Sequence, residues 1–160
     1  MNHLHNQGVT HFDLKPHNVF IGSGDSISAK VGDFGLSMSE NETALGVRWR
    51  GTFAYMAPEL ASLKNGRRYF APEGLMGRVD VWSFGVILLQ MTTRSPLPHV
   101  TLTSEELEMI LSAEAYYSYH PGWWEVIGKC LETDPMDRPT FAMLVERLIF
   151  VAEQLRMEGL

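Results

Sequence analysis

The sequence predicts a mainly α-helical domain of the α+β class, with a small β-hairpin near its start. Residues 78–91 are apolar on almost every side, which is typical of a helix buried at the centre of a domain. Amphipathic helical spacing recurs between residues 103 and 155. Near the start, two short runs rich in β-formers flank a glycine-containing turn. At 160 residues the chain is long enough to form one domain with its own core.

Composition and charge narrow the functional classes. Hydrophobic residues make up 45% of the chain and charged residues 20%, a balance typical of a globular protein. The formal net charge of −6 gives no support for binding to nucleic acid or to an anionic membrane surface. No apolar run approaches a membrane span, and residues 1–5 lack the pattern of a secretory signal. Because Cys130 is the only cysteine, we expect no internal disulfide and a cytoplasmic or nuclear location.

The first fifty residues predict little regular structure. Residues 1–8 have the pattern of the last turns of a helix, which Gly8 would cap. A hairpin follows, with two short strands and the turn between them at 19–21, 27–31 and 22–25. Residues 36–50 are polar and predict a mobile, irregular loop.

The rest of the chain predicts helices separated by loops. Pro58 should open a short helix, because proline suits the first helical position. Residues 62–77 mix turn formers with basic residues and predict a surface loop. The apolar helix at 78–91 should end before a proline-containing break at 93–98. Three further helices have their starts marked by a capping box at 103–106, by Pro121 and by Pro139.

Residues 11–18, His-Phe-Asp-Leu-Lys-Pro-His-Asn, bring together the groups that phosphoryl transfer needs. An aspartate such as Asp13 can orient a hydroxyl nucleophile, and a lysine such as Lys15 can neutralise a transferring phosphate. The side-chain oxygen of Asn18 can hold Mg²⁺. Such a cluster also arises readily by chance, so its meaning depends on the motifs that follow it.

The order of those motifs resembles the C-terminal lobe of the eukaryotic protein kinase family. Five motifs, in the family's order and near its spacing, carry the resemblance: residues 11–18; Asp33-Phe34-Gly35; Gly51-Thr52 leading to Ala57-Pro58-Glu59; Asp80-Val81-Trp82-Ser83-Phe84-Gly85; and Cys130-Leu131 through Asp134-Pro135 to Arg138-Pro139-Thr140. It runs from end to end, and the helix-rich end is most similar to the tyrosine-kinase-like group. It implies a kinase lower lobe over 1–160, an activation segment over 33–59 and an insertion within 62–77.

The resemblance implies a chemical role for each matching residue. Asp13 would orient the substrate hydroxyl and Lys15 would stabilise charge on the transferring group. Asn18 and Asp33 would hold the Mg²⁺ ions that bridge the phosphates of ATP. The supporting roles are an adenine contact for Phe20, contacts to Asp13 and Lys15 for Thr52, an anchor for the catalytic loop at Asp80, an ion pair between Glu59 and Arg138, and structural placement for His11, Phe34 and Gly35.

The implied activity is transfer of the ATP γ-phosphoryl group to a serine or threonine of a protein substrate. The Asp-Leu-Lys-Pro run with Gly51-Thr52 resembles serine/threonine kinases rather than tyrosine kinases. The alternative is a catalytically silent lobe that binds proteins as a scaffold or decoy. The sequence lacks a Gly-rich phosphate loop and a lysine strand, so we expect a fragment, an alternative start or an incomplete gene model that needs an upper lobe or a scaffold partner.

Two departures from the family pattern concern activation. Phe12 stands where most regulated kinases have an arginine that receives an activation-loop phosphate. We therefore expect that activity does not depend on phosphorylation of the hydroxyls in this segment, at Ser37, Ser39 and Thr43. A second Ala-Pro-Glu triplet at 71–73 competes with the one at 57–59, and the spacing from Gly51 favours the first.

Several other side chains have plainer expected roles. The early histidines (His3, His5, His11 and His17) fit no usual zinc spacing. Trp123 and Trp124 should be packing residues, and Cys130 a small buried hydrophobe, with a reactive thiol as the alternative. Arg48 and Arg50 should be solvated loop cations, with contact to substrate or phosphate as the alternative.

Overall fold

The regular structure consists mainly of helices with a few short antiparallel strands, which agrees with the predicted mainly helical α+β composition. A computed structural model describes residues 1–23, 27–63, 66–94, 103–112 and 121–157. The helices among these residues are α1 (Asn2–Asn6), α2 (Glu40–Thr43), α3 (Pro58–Ala61), α4 (Arg78–Thr93), α5 (Ser104–Ser112), α6 (Pro121–Cys130) and α7 (Phe141–Met157). The strands are β1 (Val9–Thr10), β2 (Val19–Ser23), β3 (Ile27–Val31) and β4 (Met38–Ser39).

Helix α4 is the centre of the core, as its apolar sequence predicts. Its side chains are buried on all sides, including Val81, Trp82 and Leu89. It packs so closely on α6 that a Cβ at Gly85 would come within 3.0 Å of Cys130. The helix continues two residues beyond the predicted end and stops at Arg94, which has a φ of 52°. Most of the break predicted at 93–98 lies outside the described residues.

The predicted hairpin is confirmed by the antiparallel pairing of β2 with β3. The register runs from Val19 opposite Val31 to Ser23 opposite Ile27, and residues 24–26 of the turn lie outside the described residues. Three apolar side chains on the hairpin stay exposed: Phe20, Ile21 and Ile27. The hairpin, which begins directly after Asn18, therefore has an uncovered apolar surface.

The prediction of an irregular loop at 36–50 is wrong for residues 38–43, which form a strand and a short helix, whereas residues 44–50 are irregular as predicted. Strand β4 pairs with β1, with Val9 opposite Ser39, and helix α2 follows at once. A capping box starts α2, in which the Glu42 carboxylate accepts from the N–H and the hydroxyl of Ser39. Further along, Val47 forms a β-bridge with Tyr69. This bridge ties the segment to residues 66–77, which form a loop as predicted, although Met76 within it is buried.

The last three helices begin close to the predicted positions. Thr103 and Glu106 form the expected capping box of α5, and Leu107 packs into the core. Leu111 follows Leu107 by four positions, the spacing of one helical face, but its side chain lies outside the described part. Helix α7 buries Phe141, Leu144 and Val151. The apolar spacing of this helix also predicts burial of Val145 and Ile149, but both are about half exposed, because α7 buries only one narrow stripe.

No helix within the described ranges is both long and apolar enough to cross a bilayer. These ranges also contain no cluster of three or more histidine, cysteine, aspartate or glutamate side chains that could hold a metal ion.

Cys130 should be chemically inert in the folded protein. Its side chain is fully buried, and burial raises the pKa of the thiol to about 12. Because the thiolate is the reactive form, we expect no labelling by a thiol-specific disulfide reagent at pH 8 under native conditions. One equivalent should react after unfolding in guanidinium chloride. Rapid labelling of the native protein would contradict the packing of α4 against α6.

Candidate active site

Asp80, in the first turn of α4, anchors residues 11–18, the candidate catalytic loop. Its fully buried carboxylate accepts hydrogen bonds from the backbone N–H groups of His11, at 2.8 Å, and Phe12, at 2.9 Å. The ring of His5 contacts the same carboxylate at 2.9 Å. A buried carboxylate requires such partners, since each replaces water that burial has removed. These contacts are the ones that the predicted anchoring role of Asp80 requires.

Phe12 gives the loop its sharp turn. Its φ of 67° lies in the left-handed region, which costs a non-glycine residue energy that its surroundings must supply. The Asp80 bond to its N–H and the burial of its ring hold it there. The turn places the next residue, Asp13, beside the segment that contains Thr52.

Asp13, Lys15 and Thr52 form a closed hydrogen-bonded group. The Lys15 Nζ lies 2.7 Å from Asp13 Oδ2 and 2.8 Å from Thr52 Oγ1. The Thr52 hydroxyl donates to Asp13 Oδ1 at 2.7 Å. Burial opposes ionisation of Asp13, but the hydrogen bonds from Lys15 and Thr52 outweigh it and lower the carboxyl pKa. The carboxylate is therefore ionised at neutral pH and can accept a further hydrogen bond.

Asn18 and Asp33 are the candidate metal ligands. The Asn18 amide nitrogen donates to the Asp13 carbonyl at 2.8 Å and to Asp13 Oδ2 at 3.2 Å, so its oxygen is the atom available as a ligand. The Gly32 N–H bonds to the Asn18 carbonyl at 2.9 Å, which brings Asp33 to the same end of the hairpin. Asp33 is exposed and left-handed, with a φ of 60°. Amide and carboxylate oxygens suit Mg²⁺, which also needs phosphate or water ligands.

Three further predicted residues lie near this group: His11 and Phe34, which are in contact with each other, and Phe20 on β2. His11 is buried, accepts from the Asp13 N–H at Nδ1 and contacts the Gly32 carbonyl at Nε2, which fixes the ring proton on Nε2. Its ring packs edge-on against Phe34 at 5.3 Å. Phe20, by contrast, is exposed on β2, where its ring lies close above Gly32.

Gly51 brings the Thr52 segment into contact with the candidate catalytic loop. Its φ is 96°, and a Cβ at this position would overlap the carbonyl oxygen of Phe12. Only glycine allows both the backbone conformation and the close approach. Since Thr52 follows directly, its hydroxyl reaches Asp13.

Glu59 and Arg138 form a bidentate ion pair that closes the far end of the segment. The two N···O distances are 2.7 and 2.9 Å, and the Arg138 guanidinium lies 5.1 Å from the centre of the Trp82 ring. Arg138 is buried and also donates to the carbonyls of Glu132 and Thr133. It is therefore the Ala-Pro-Glu triplet at 57–59 that meets the arginine.

Arg50 departs from its expected state as a solvated cation. It is half-buried, and its guanidinium carbon lies 5.5 Å from the centre of the Phe12 ring. Arg48, two residues earlier, is exposed as expected. The contact between residues 12 and 50 left no signal in the sequence, because neither a motif nor a periodicity joins them.

Comparison with known proteins places this geometry in a family context. A family model described as the protein kinase domain matches residues 1–150. Serine/threonine/tyrosine-protein kinase HT1 of Arabidopsis thaliana is 32% identical over 91% of this chain and 35% of its own length. Megakaryocyte-associated tyrosine-protein kinase of Rattus norvegicus is 33% identical over 99% of the chain and 32% of its own length. Mitogen-activated protein kinase kinase kinase 13-B of Xenopus laevis is 29% identical over 95% of the chain and 15% of its own length. The chain thus spans about a third or less of these relatives.

Replacement of Gly51 by alanine should displace the segment from the catalytic loop. The added methyl group would overlap the Phe12 carbonyl and impose a left-handed alanine, a combined cost of about 2–4 kcal/mol. Gly74→Ala is the matched control, since Gly74 has a φ of 73° and nothing within 4 Å. Urea unfolding should show only the backbone cost there, about 1 kcal/mol. Equal losses in the two variants would contradict the close approach.

Removal of Glu59 should destabilise the fold strongly. Glu59→Ala leaves the buried Arg138 without its carboxylate, which typically costs about 3–5 kcal/mol of unfolding free energy. The exposed pair of Arg147 with Glu125 is the control, and Glu125→Ala should cost less than about 1 kcal/mol. Chemical denaturation of both variants measures the difference. A loss at Glu59 as small as that at Glu125 would count against a structural ion pair.

Proposed function

Since this chain belongs to the protein kinase family, we propose that its site transfers the γ-phosphoryl group of ATP to a serine or threonine hydroxyl of a protein. The observation that carries the proposal is the closed group of Asp13, Lys15 and Thr52. The lysine lies next to the carboxylate, whose pKa is lowered. Such a carboxylate can orient a hydroxyl nucleophile.

Each side chain of the group has a distinct part in the proposed reaction. The Asp13 carboxylate would accept a hydrogen bond from the substrate hydroxyl and take its proton as the hydroxyl oxygen bonds to the γ-phosphorus, while the bond from that phosphorus to the β–γ bridging oxygen breaks and ADP leaves. Lys15 places a positive charge beside Asp13, where it offsets negative charge that develops on the transferred group. Thr52 holds Asp13 and Lys15 in register.

The nucleotide and its metal would lie beside this group. Asn18 and Asp33 offer hard oxygen ligands at one end of the hairpin and would hold Mg²⁺, which neutralises phosphate charge when bound. The exposed ring of Phe20 would contact the adenine from below. These assignments follow the family resemblance and the position of the hairpin.

The choice of serine or threonine over tyrosine rests on residues near Asp13. Lys15, two positions after the aspartate, and Thr52 resemble the serine/threonine pattern. The similar proteins include both serine/threonine and tyrosine kinases. Identification of the phosphorylated amino acid is therefore part of the test below.

We further propose that the chain corresponds to the helix-rich lower lobe of a kinase. Its mainly helical fold and its limited share of the relatives' length support this assignment.

A second candidate function, a catalytically silent scaffold or decoy, is favoured by the exposed apolar side chains of the hairpin. Ile21 and Ile27 are 67% and 87% exposed and offer a surface on which an upper lobe or another protein would pack.

The decisive experiment measures nucleotide binding and transfer separately. Thermal unfolding of the 160-residue chain should shift upward with ATP and Mg²⁺ together, and Asp33→Asn should remove the shift. Asp13→Asn should keep the shift but reduce phosphate transfer to a protein substrate by about 10²–10⁴-fold. Phosphoamino-acid analysis should then find phosphoserine or phosphothreonine.

Each alternative result has a defined meaning. A shift without transfer, in the native protein as in Asp13→Asn, would favour the silent scaffold. No shift with ATP and Mg²⁺ would count against nucleotide binding by this chain on its own. Phosphotyrosine as the product would overturn the proposed substrate class.

A further inference from the structure

The side chain of Arg50 connects two parts of the site that are far apart in the sequence. Its guanidinium carbon stands 5.5 Å from the centre of the Phe12 ring, a distance typical of a cation–π contact. Its Nη1 donates to the carbonyl oxygen of Leu36 at 3.0 Å. Because Arg50 directly precedes Gly51, one side chain links the catalytic loop, the start of the segment 33–59 and the approach to Thr52.

The Phe12 side of this contact is rigid. The ring is 6% exposed, and the residue is fixed in a left-handed conformation by the bond from its N–H to Asp80. Because the ring is already fixed, only the Arg50 side chain is ordered by the contact, and water screens its charge only partly. Arg50 is itself half-buried, so the contact is not one between freely solvated groups.

The hydroxyl groups of the segment take part in its local structure in their unmodified form. The Ser37 hydroxyl donates to the His11 carbonyl at 3.4 Å, and that of Thr43 donates to the Glu40 carbonyl at 3.0 Å. The Ser39 hydroxyl donates to Glu42 within the capping box of α2. A phosphate on any of the three would remove a donor that the folded segment uses.

We propose that Arg50 is a positioning residue that holds the segment 33–59 on the catalytic loop with no phosphate on that segment. Arg50 keeps Gly51 against the carbonyl of Phe12, and thereby the Thr52 hydroxyl at 2.7 Å from Asp13. Its value for catalysis rests on the proposed function. The contact itself can be tested without any assay of activity.

Hydrogen–deuterium exchange on the 160-residue chain tests the contact directly. The protein is treated with phosphatase, and its intact mass is used to establish that no phosphate remains. In Arg50→Met, amides of residues 36–53 should exchange roughly 3- to 30-fold faster, the range expected for a partly buried cation–π contact plus a hydrogen bond. Exchange in α4 and α7 should be unchanged. Arg48→Met, which removes an exposed cation two residues away, is the control and should leave exchange at 36–53 as in the native protein.

Variants of Phe12 separate the aromatic contact from burial. Phe12→Leu keeps an apolar side chain but removes the ring, and it should loosen residues 36–53 as Arg50→Met does. Phe12→Tyr keeps the ring and should retain protection. If Arg50→Met also raises exchange in α4, Arg50→Lys decides the question, since it keeps the charge and loses the planar group. Loosening by Arg50→Lys that is confined to 36–53 supports the proposal, whereas global loosening or none overturns it.

Three other results would also overturn the inference. The first is that residues 36–53 of Arg50→Met exchange as slowly as in the native protein. The second is that Arg48→Met speeds their exchange as much as Arg50→Met does. The third is that these residues lose their protection when the native protein is dephosphorylated. A failure of the proposed function looks different: ATP with Mg²⁺ would give no thermal shift, while the effect of Arg50→Met on exchange remained. The two hypotheses can thus fail separately.

Discussion

The carboxylate of Asp80 is the constraint on which the site depends. It is fully buried at the start of the central helix and holds the backbone of two successive loop residues, His11 and Phe12. An ionisable group in this position would be very costly without those N–H donors, so the loop and the helix require each other. Because α4 is packed on every side, the loop acquires the rigidity of the core. This rigidity allows Phe12 to remain in an unfavourable conformation that turns Asp13 toward Thr52.

The segment 33–59 is fastened at intervals rather than at one point. The pairing of β4 with β1 holds it near its start, the bridge between Val47 and Tyr69 holds its middle, and the ion pair of Glu59 with Arg138 closes its end. Between these points the backbone comes within contact distance of the candidate catalytic loop, and Gly51 permits that approach. The position of Thr52 is thus a result of several contacts of different kinds, namely backbone pairing, an ion pair and steric fit.

The sequence predicted features whose signal is local or carried by a motif. The burial of α4 follows from its apolar residues on all sides, and the capping box at Thr103 is visible in four consecutive letters. The pairing of β1 with β4 escaped prediction, because strands of two residues have no periodicity and the paired residues lie 28 and 30 positions apart. The capping box at Ser39 and Glu42 was readable by the same rule that found the one at Thr103. The contact of Arg50 with Phe12 was not, since it depends on how two loops fold against each other.

The ionisation of Asp13 shows how the site combines stability with reactivity. Burial alone would raise the pKa of its carboxyl, yet hydrogen bonds from Lys15 and Thr52 lower it below the ordinary value. A carboxyl whose pKa is lower in the folded than in the unfolded state stabilises the fold above its ordinary pKa. That contribution is lost as the pH falls through the lowered value. At neutral pH the same contacts therefore stabilise the loop and keep the carboxylate free of a proton, which is the state that the role proposed for Asp13 requires. The structure gains both from one arrangement of three side chains.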